Sequence, residues 1–289
     1  MASGLGIWNE TLIWWANRGL GSWSRRSAFR KFARRNNGHL QVVNTKHGFA
    51  MEVRIGDPVD TALAISQTFE PQLCAVLKTL SRPGMTFVDV GCNIGFITCL
   101  IAASNPGSRI IAIDANPEMA RRCRENLARN GYTAEVINHG VGETVGELEF
   151  FVTDDRPSMG SFGAAERTRE QIAAGRARAF RVPVRPLPVI LREQGISRVD
   201  LLKVDIEGFE PALFAGLAAD ESAPPIAALV FEYAPSHCQR CGFDVADMWR
   251  LPWWSRYRLE AMCIEDGRRA VCRPGAIPAW ADTMVATLV

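Results

Sequence analysis

Residues 87–96 read Phe-Val-Asp-Val-Gly-Cys-Asn-Ile-Gly-Phe, an apolar run that ends in a glycine turn and opens a helix. Apolar runs of this length mark strands buried on both faces of a parallel sheet. Outward from this stretch the pattern repeats. Strands are predicted over 86–90, 109–114, 134–138, 200–205 and 227–232, with helices near 95–104, 117–130, 207–217 and 243–251 between them. Two more apolar segments, 258–264 and 283–289, are expected to close the sheet as an antiparallel pair. The fold class is therefore α/β, a Rossmann-like sheet with its ligand crevice at the carboxyl ends of the strands. A hairpin strand over 146–152 leads into 153–181, rich in Arg, Ala, Gly and Ser and without a long apolar face. That segment reads as an insertion or lid.

The chain has 289 residues, 47% of them hydrophobic and 22% charged, and no segment nears the ~18 uninterrupted apolar residues of a membrane-spanning helix. A disordered chain and an integral membrane protein are both excluded. The net charge of +2 hides an asymmetry: up to Met51, eight basic residues face one acid, Glu10, whereas the remainder holds 25 basic against 30 acidic residues. The basic part also contains Trp8, Trp14, Trp15 and Trp23. Ala28, Phe29, Phe32 and Ala33 recur there at helical spacing among Arg26, Arg30, Lys31, Arg34 and Arg35, which predicts an amphipathic basic helix. Residues 1–50 are read as a helical extension and 51–289 as the sheet domain. The extension packs on its own domain, touches a membrane surface through residues 8–35, or meets a nucleic acid or partner protein. The start lacks the basic and apolar regions of a secretory signal, so cytoplasmic residence is expected. Eight scattered cysteines then read as thiols. Cys238, Cys241, Cys263 and Cys272 could supply four sulfurs to zinc, but their spacing does not match a paired ribbon.

Gly91 and Gly95 permit a tight turn and close approach of backbone to a ligand. Asp114 ends the next strand about twenty residues on, where a carboxylate can accept both hydroxyls of a ribose. The turn reads G-x-N-x-G with Asp89 just ahead of it, and an acid there would repel a pyrophosphate. It suits a cation instead, such as the amino group of S-adenosylmethionine, whose sulfonium adds positive charge. A second cluster, Asp200-Leu-Leu-Lys203-Val-Asp205-Ile-Glu207-Gly-Phe-Glu210, carries charges that are costly at a strand end unless paired or used. Asp205 and Glu207 should face the same crevice, and Glu232 arrives at the next strand end. Lys203 could simply bridge to Glu210 or to Asp205.

The strings FVDVGCNIGFIT (87–98), IAIDANP (111–117), VGETVGELEFF (141–151) and DLLKVDIEGFEPALFAG (200–216) resemble the FkbM family of S-adenosylmethionine-dependent methyltransferases. The resemblance covers about 70–289 and implies a class I methyltransferase fold, a seven-stranded, mostly parallel sheet with an antiparallel last strand. It implies methyl transfer, usually to a hydroxyl of a small molecule, sugar or polyketide. By that likeness Asp89, Gly91, Asn93 and Gly95 hold the methionine end, Asp114 the ribose and Asn116 the neighbouring polar groups. Family members generally have Glu at the place of Asp114 and Ala at that of Cys92, both small departures. Phe69-Glu70-Pro71 also resembles a family motif, which places Glu70 at the cofactor pocket. The basic Trp-rich extension lies outside the resemblance.

The chemistry asks for a group that takes the acceptor's proton as the methyl arrives. Asp205 is the expected base and Glu207 the second choice. A divalent ion held by Asp205, Glu207 and Glu232 is a less favoured alternative, and no metal ligand is assigned. His139, beyond the third strand, is expected beside the cofactor, with a basic role as its alternative. Ser158, Met159 and Ser161 are candidates to line the acceptor pocket from the lid. Three readings follow: an O-methyltransferase acting on a small molecule or glycan, a nucleic-acid methyltransferase with a basic arm, and a non-catalytic cofactor-binding or membrane-recruited scaffold. The strand end VDIEG, where amino-directed nucleic-acid enzymes carry an N/D-P-P-Y type sequence, counts against the second.

Overall fold

The computed structural model describes residues 22–163 and 166–289. The elements begin with α1 (Ser22–Arg35), β1 (Leu40–Asn44), β2 (Ala50–Arg54), α2 (Pro58–Ser66), α3 (Pro71–Leu80), β3 (Thr86–Val90), α4 (Phe96–Ser104), β4 (Arg109–Ile113), α5 (Pro117–Arg129) and β5 (Glu135–Ile137). They continue with β6 (Gly140–Val141), β7 (Gly146–Thr153), β8 (Arg156–Ser161), α6 (Glu166–Ala173), β9 (Ala177–Arg185), α7 (Leu187–Glu193), β10 (Val199–Val204) and α8 (Glu210–Ala219). β11 (Ile226–Glu232), α9 (Pro235–Arg240), α10 (Val245–Arg250), β12 (Tyr257–Met262), β13 (Arg269–Cys272) and β14 (Thr283–Leu288) complete the chain.

The apolar runs assemble into one sheet of order β13-β12-β14-β11-β10-β3-β4-β5. From β11 to β5 all neighbours are parallel, and β14 inserts antiparallel between β11 and β12. This is the class I methyltransferase arrangement, with one correction: an eighth strand, β13, extends the edge. Only four residues long, with Val271 pointing into solvent, it offers no periodicity to read. Successive residues of a strand face opposite sides of a sheet. Phe87 and Leu201 thus enter the core under α4 and α5. Val88 and Leu202 enter the other core, with α7, α8 and the rings of Phe214, Trp249 and Trp254. Among the described residues no helix is long and apolar enough to cross a membrane.

The boundary drawn at residue 50 falls inside a hairpin. β1 and β2 pair antiparallel, and Phe49, Met51 and Val53 are buried in the same core as α4 and α5. Phe32 of α1 is fully buried there too, while Arg30, Lys31, Arg34 and Arg35 are exposed. The described part of the extension therefore packs on its own domain. Trp8, Trp14 and Trp15 lie outside the described residues.

The segment read as an insertion without an apolar face is a strand-helix-strand unit, a second correction. β9 pairs antiparallel with β7 from Gly146↔Val184 to Thr153↔Ala177, in a four-stranded sheet of order β6-β9-β7-β8. One face of this sheet is solvated. Its apolar residues, Ala177, Val182 and Val184, are spaced by exposed arginines and so dilute the signal.

The hairpin is clipped to α5 by side chains. Asn126 Oδ1 accepts from Glu52 N at 2.7 Å, and Asn130 both accepts from and donates to the backbone of Ala50. Asp60, fully buried, accepts from Arg122 Nη2 and from Arg54 N, both at 2.7 Å. Removing one member of a buried ion pair leaves the other desolvated and unpaired. Arg122→Ala is expected to lower unfolding free energy by about 3–5 kcal/mol in chemical denaturation; a change below about 1 kcal/mol would show the pair to be dispensable.

Candidate active site

A cavity of about 340 Å³ opens at the carboxyl ends of β3, β4, β10 and β11, the size and place expected of a small-ligand site in an open α/β sheet. Gly91, Asn93, Asp114, Asn116 and His139 line it from the β3, β4 and β5 side, and Glu70, Asp205 and Glu207 from the other. The turn after β3 requires glycine at its first position. Gly91 has φ +79, and a Cβ there would stand 1.7 Å from the carbonyl oxygen of Asp205. The bare backbone lets the ends of β3 and β10 touch.

Asp114 is almost wholly buried at the end of β4. Its Oδ2 accepts from Asn93 N at 2.7 Å and its Oδ1 from Asn116 N at 2.8 Å. Burial pushes its carboxyl up to about 6, against those two N–H groups, which favour the charge. Asn116 caps α5, accepting from Glu118 N, and its amide donates to Pro157 O at 3.1 Å. The Asn93 amide donates to Ser158 O at 3.0 Å, and Ser158 N donates to Asp57 Oδ2 at 2.9 Å. Three hydrogen bonds thus fasten β8 to the turn, to the start of α5 and to the start of α2. Ser158 and Met159 line the cavity as expected, joined by Phe150 and Phe162, whereas the Ser161 hydroxyl donates to Glu207 O. His139 is half-buried with Nδ1 unpartnered, and burial, then Arg185, lowers its pKa.

Asp89 departs from its expected role. Parallel register sets it beside Lys203, on the sheet face that packs against α4. Fully buried, it accepts from Thr98 Oγ1 at 2.6 Å and faces Lys203 Nζ at 3.4 Å. It supports the cavity from behind and does not line it. Lys203 Nζ donates to Gly91 O at 2.7 Å and lies 3.5 Å from Asp205 Oδ2. Burial opposes its charge, but Asp205, Asp89 and Glu70 outweigh that and hold the ammonium above its ordinary range. Glu210 is not its partner: it accepts instead from Ile206 N at 2.9 Å. Glu70 stands in the left-handed region at φ +43, and burial, then the charge of Asp205, pushes its carboxyl up to about 8.

The strand ends bring one unforeseen residue into the site. His237, which precedes Cys238 and carries no role in the sequence analysis, sits on α9 with Nδ1 3.1 Å from Glu207 Oε2 and 3.6 Å from Glu232 Oε2. The two carboxylates, Glu207 ahead of Glu232, hold its imidazolium up to about 10. A helix starting three residues after a strand that ends in Glu232 was the available signal, since chain leaving a strand end borders the crevice. The four cysteines proposed for zinc do not converge: among the described residues, the one group of His, Cys and acidic side chains with metal-ligand spacing is Glu207, Glu232 and His237.

A model of the methyltransferase FkbM domain matches residues 89–255, more than half of the chain. The chain belongs to the FkbM methyltransferase family. Its similarities to curated proteins are partial. The AMB antimetabolite synthetase AmbE of Pseudomonas aeruginosa is 27% identical over 47% of this chain and 8% of its own length. The 2-O-methyltransferase NoeI of Sinorhizobium fredii is 22% identical over 49% of this chain and 60% of its own length. The 31-O-demethyl-FK506 methyltransferase FkbM of Streptomyces tacrolimicus is 24% identical over 52% of this chain and 66% of its own length. The chain thus spans less than two thirds of each of these relatives.

The FkbM family domain is S-adenosylmethionine-dependent, and the cavity fits that cofactor. Asp114 presents a buried carboxylate whose remaining lone pairs suit two ribose hydroxyls, and the acids Glu70 and Asp205 suit its positive charges. The raised pKa of Asp114 gives the fit a pH dependence: above about 6 the group is an acceptor-only carboxylate, and below it a proton occupies one oxygen. Cofactor affinity by calorimetry is expected to weaken several-fold as pH falls from about 7 to about 5, and Asp114→Asn to remove that dependence. A wild-type affinity flat across this range would overturn the assignment.

Proposed function

We propose that this FkbM-family domain transfers a methyl group from S-adenosylmethionine to a hydroxyl of a small molecule, a sugar or glycan, or a polyketide-type natural product. The names 2-O-methyltransferase NoeI and 31-O-demethyl-FK506 methyltransferase FkbM specify oxygen as the methyl acceptor of those proteins, which supports the same atom here. When bound, the cofactor supplies a methyl on a positively charged sulfur, so the acceptor oxygen needs orientation and loss of its proton.

The observation that carries the reading is the position of Asp205. It follows β10, lines the same cavity as Asp114, and keeps 38% of its side chain exposed. Its Oδ2 faces Lys203, which fixes the carboxylate and leaves Oδ1 to take the proton of the acceptor hydroxyl. Glu207, the second choice in the sequence, is engaged with His237 and is the weaker candidate. Phe69, Phe150, Phe162 and Met159 give the cavity apolar walls that exclude water around the reacting oxygen. An acceptor presenting a hydroxyl on a largely apolar or ring-shaped skeleton matches such walls.

Asp205→Ala tests the assignment with isotope-labelled methyl donor. Turnover is expected to fall by about 10²–10⁴-fold, the usual contribution of a positioned base, with cofactor affinity changed only a few-fold. Full turnover in that variant would remove Asp205 from the role.

A further inference from the structure

Beside Asp205, three side chains from three elements converge. Glu207 follows β10, Glu232 ends β11 and His237 sits on α9. One ligand atom from each lies within 4.8 Å of the other two. His237 Nδ1 and Glu232 Oε2 are both closed to solvent, and the ion-pair contacts of Nδ1 with Glu207 and Glu232 lack hydrogen-bond geometry. Buried polar atoms are nearly always hydrogen-bonded, and an ion bound between these groups would supply the directed contacts that the bare ion pair leaves unmade.

The backbone is arranged to bring them together. Glu207 is held at φ +54, a conformation that side-chain-bearing residues avoid. Gly208 follows at φ +100, and a Cβ there would lie 2.3 Å from the carbonyl carbon of His237. Only glycine admits α9 this close to the end of β10. Two ligands bound ~2.1 Å from one ion stand ~3.0 Å apart at a right angle and ~3.4 Å apart at the tetrahedral angle. The contacts of His237 Nδ1, 3.1 Å to Glu207 and 3.6 Å to Glu232, are close to those separations.

We propose that Glu207, Glu232 and His237 bind one divalent first-row transition ion, open on the cavity side to an acceptor oxygen. One imidazole nitrogen and two carboxylate oxygens form a donor set of intermediate softness, suited to Mn²⁺, Fe²⁺, Co²⁺ or Zn²⁺. Two carboxylates and the imidazole, once the entering ion has displaced the His237 proton to solvent, balance the charge of such an ion. Three protein ligands leave coordination positions free, as in catalytic rather than structural sites. The neighbouring thiols are turned elsewhere: Cys241 Sγ faces Glu207 O and Ser161 Oγ, and Cys238 Sγ faces Glu210. Asp205, grouped with Glu207 and Glu232 in the sequence, stays outside the set because Lys203 holds it. The site deepens the O-methyl transfer reading and rests on it: a hydroxyl on the ion has a lowered pKa and passes its proton to Asp205.

The test uses the full chain stripped with a chelator and titrated with Mn²⁺ alone, without methyl donor or acceptor. Paramagnetic resonance of the free ion is expected to show one Mn²⁺ bound per chain. The bound ion should carry a nitrogen coupling from a single imidazole. Glu232→Gln and His237→Ala, each checked for cooperative thermal unfolding, should weaken binding by at least about tenfold. His237→Ala should also abolish the nitrogen coupling. Absence of stoichiometric binding, bound Mn²⁺ without nitrogen coupling in the wild type, or undiminished binding in both folded variants would each overturn the proposal. Because the titration contains no methyl donor, failure of donor binding would overturn the transferase reading separately.

Discussion

A buried ammonium group holds the functional end of this sheet together. Lys203 reaches the terminus of β10 inside the protein, where an unpaired charge would cost several kcal/mol. The cost is offset because Nζ donates to Gly91 O and stands between Asp89 and Asp205. One side chain thereby joins the glycine turn after β3 to the strand that presents Asp205. The two strand ends could not approach without the missing Cβ of Gly91. Sterics and electrostatics therefore impose the same closure, and Asp114, Asn93 and Asp205 take their relative positions from it.

This closure divides the acids into two kinds. Asp89 and Glu210 are buried and spent on internal partners, Thr98 and Lys203 for the one and the Ile206 amide for the other. Glu70, Asp205, Glu207 and Glu232 open on the cavity, where the cations they meet among its described lining residues are Lys203 and the His237 imidazole. An excess of carboxylate at low dielectric is unfavourable until something positive enters, and the raised carboxyl of Glu70 expresses that demand. A cationic methyl donor answers one part of it. The ion proposed at Glu207, Glu232 and His237 would answer the other.

Much of the fold was legible because parallel strands buried on both faces leave unbroken apolar runs, as in β3, β4, β10 and β11. Elements that break this rule were not. β1 and β2 form a two-stranded hairpin, β9 alternates arginine with apolar residues, and β13 is four residues long. The meeting of Gly91, Asn93 and Asp114 at one end of the cavity was legible for a related reason: they lie within one strand-turn-helix-strand passage, so local spacing encodes their geometry. Asp89 was misplaced by the same local reasoning. The sequence shows its proximity to the turn but not the sheet face it takes, which is decided by its register against Lys203. His237 was missed because its meeting with Glu207 is 30 residues distant in sequence and rests on Gly208, whose role emerges only when α9 packs on it.

The wall opposite the glycine turn is built by a different sheet. β8 brings Pro157 and Ser158 onto Asn116 and Asn93, so the asparagines that border the cofactor end also anchor the strand that covers it. Met159 and Phe162 come with that strand, and Phe150 from its neighbour β7 packs edge-on against Phe162. The cavity consequently has one side fixed by the main sheet, where charge is set by strand termini, and one side of apolar rings hung from the second sheet. Changes in the rings alter shape without touching Lys203, Asp114 or the glycine turn. The shape of the apolar wall is therefore physically separable from the charges at the strand termini, because a different sheet supplies each.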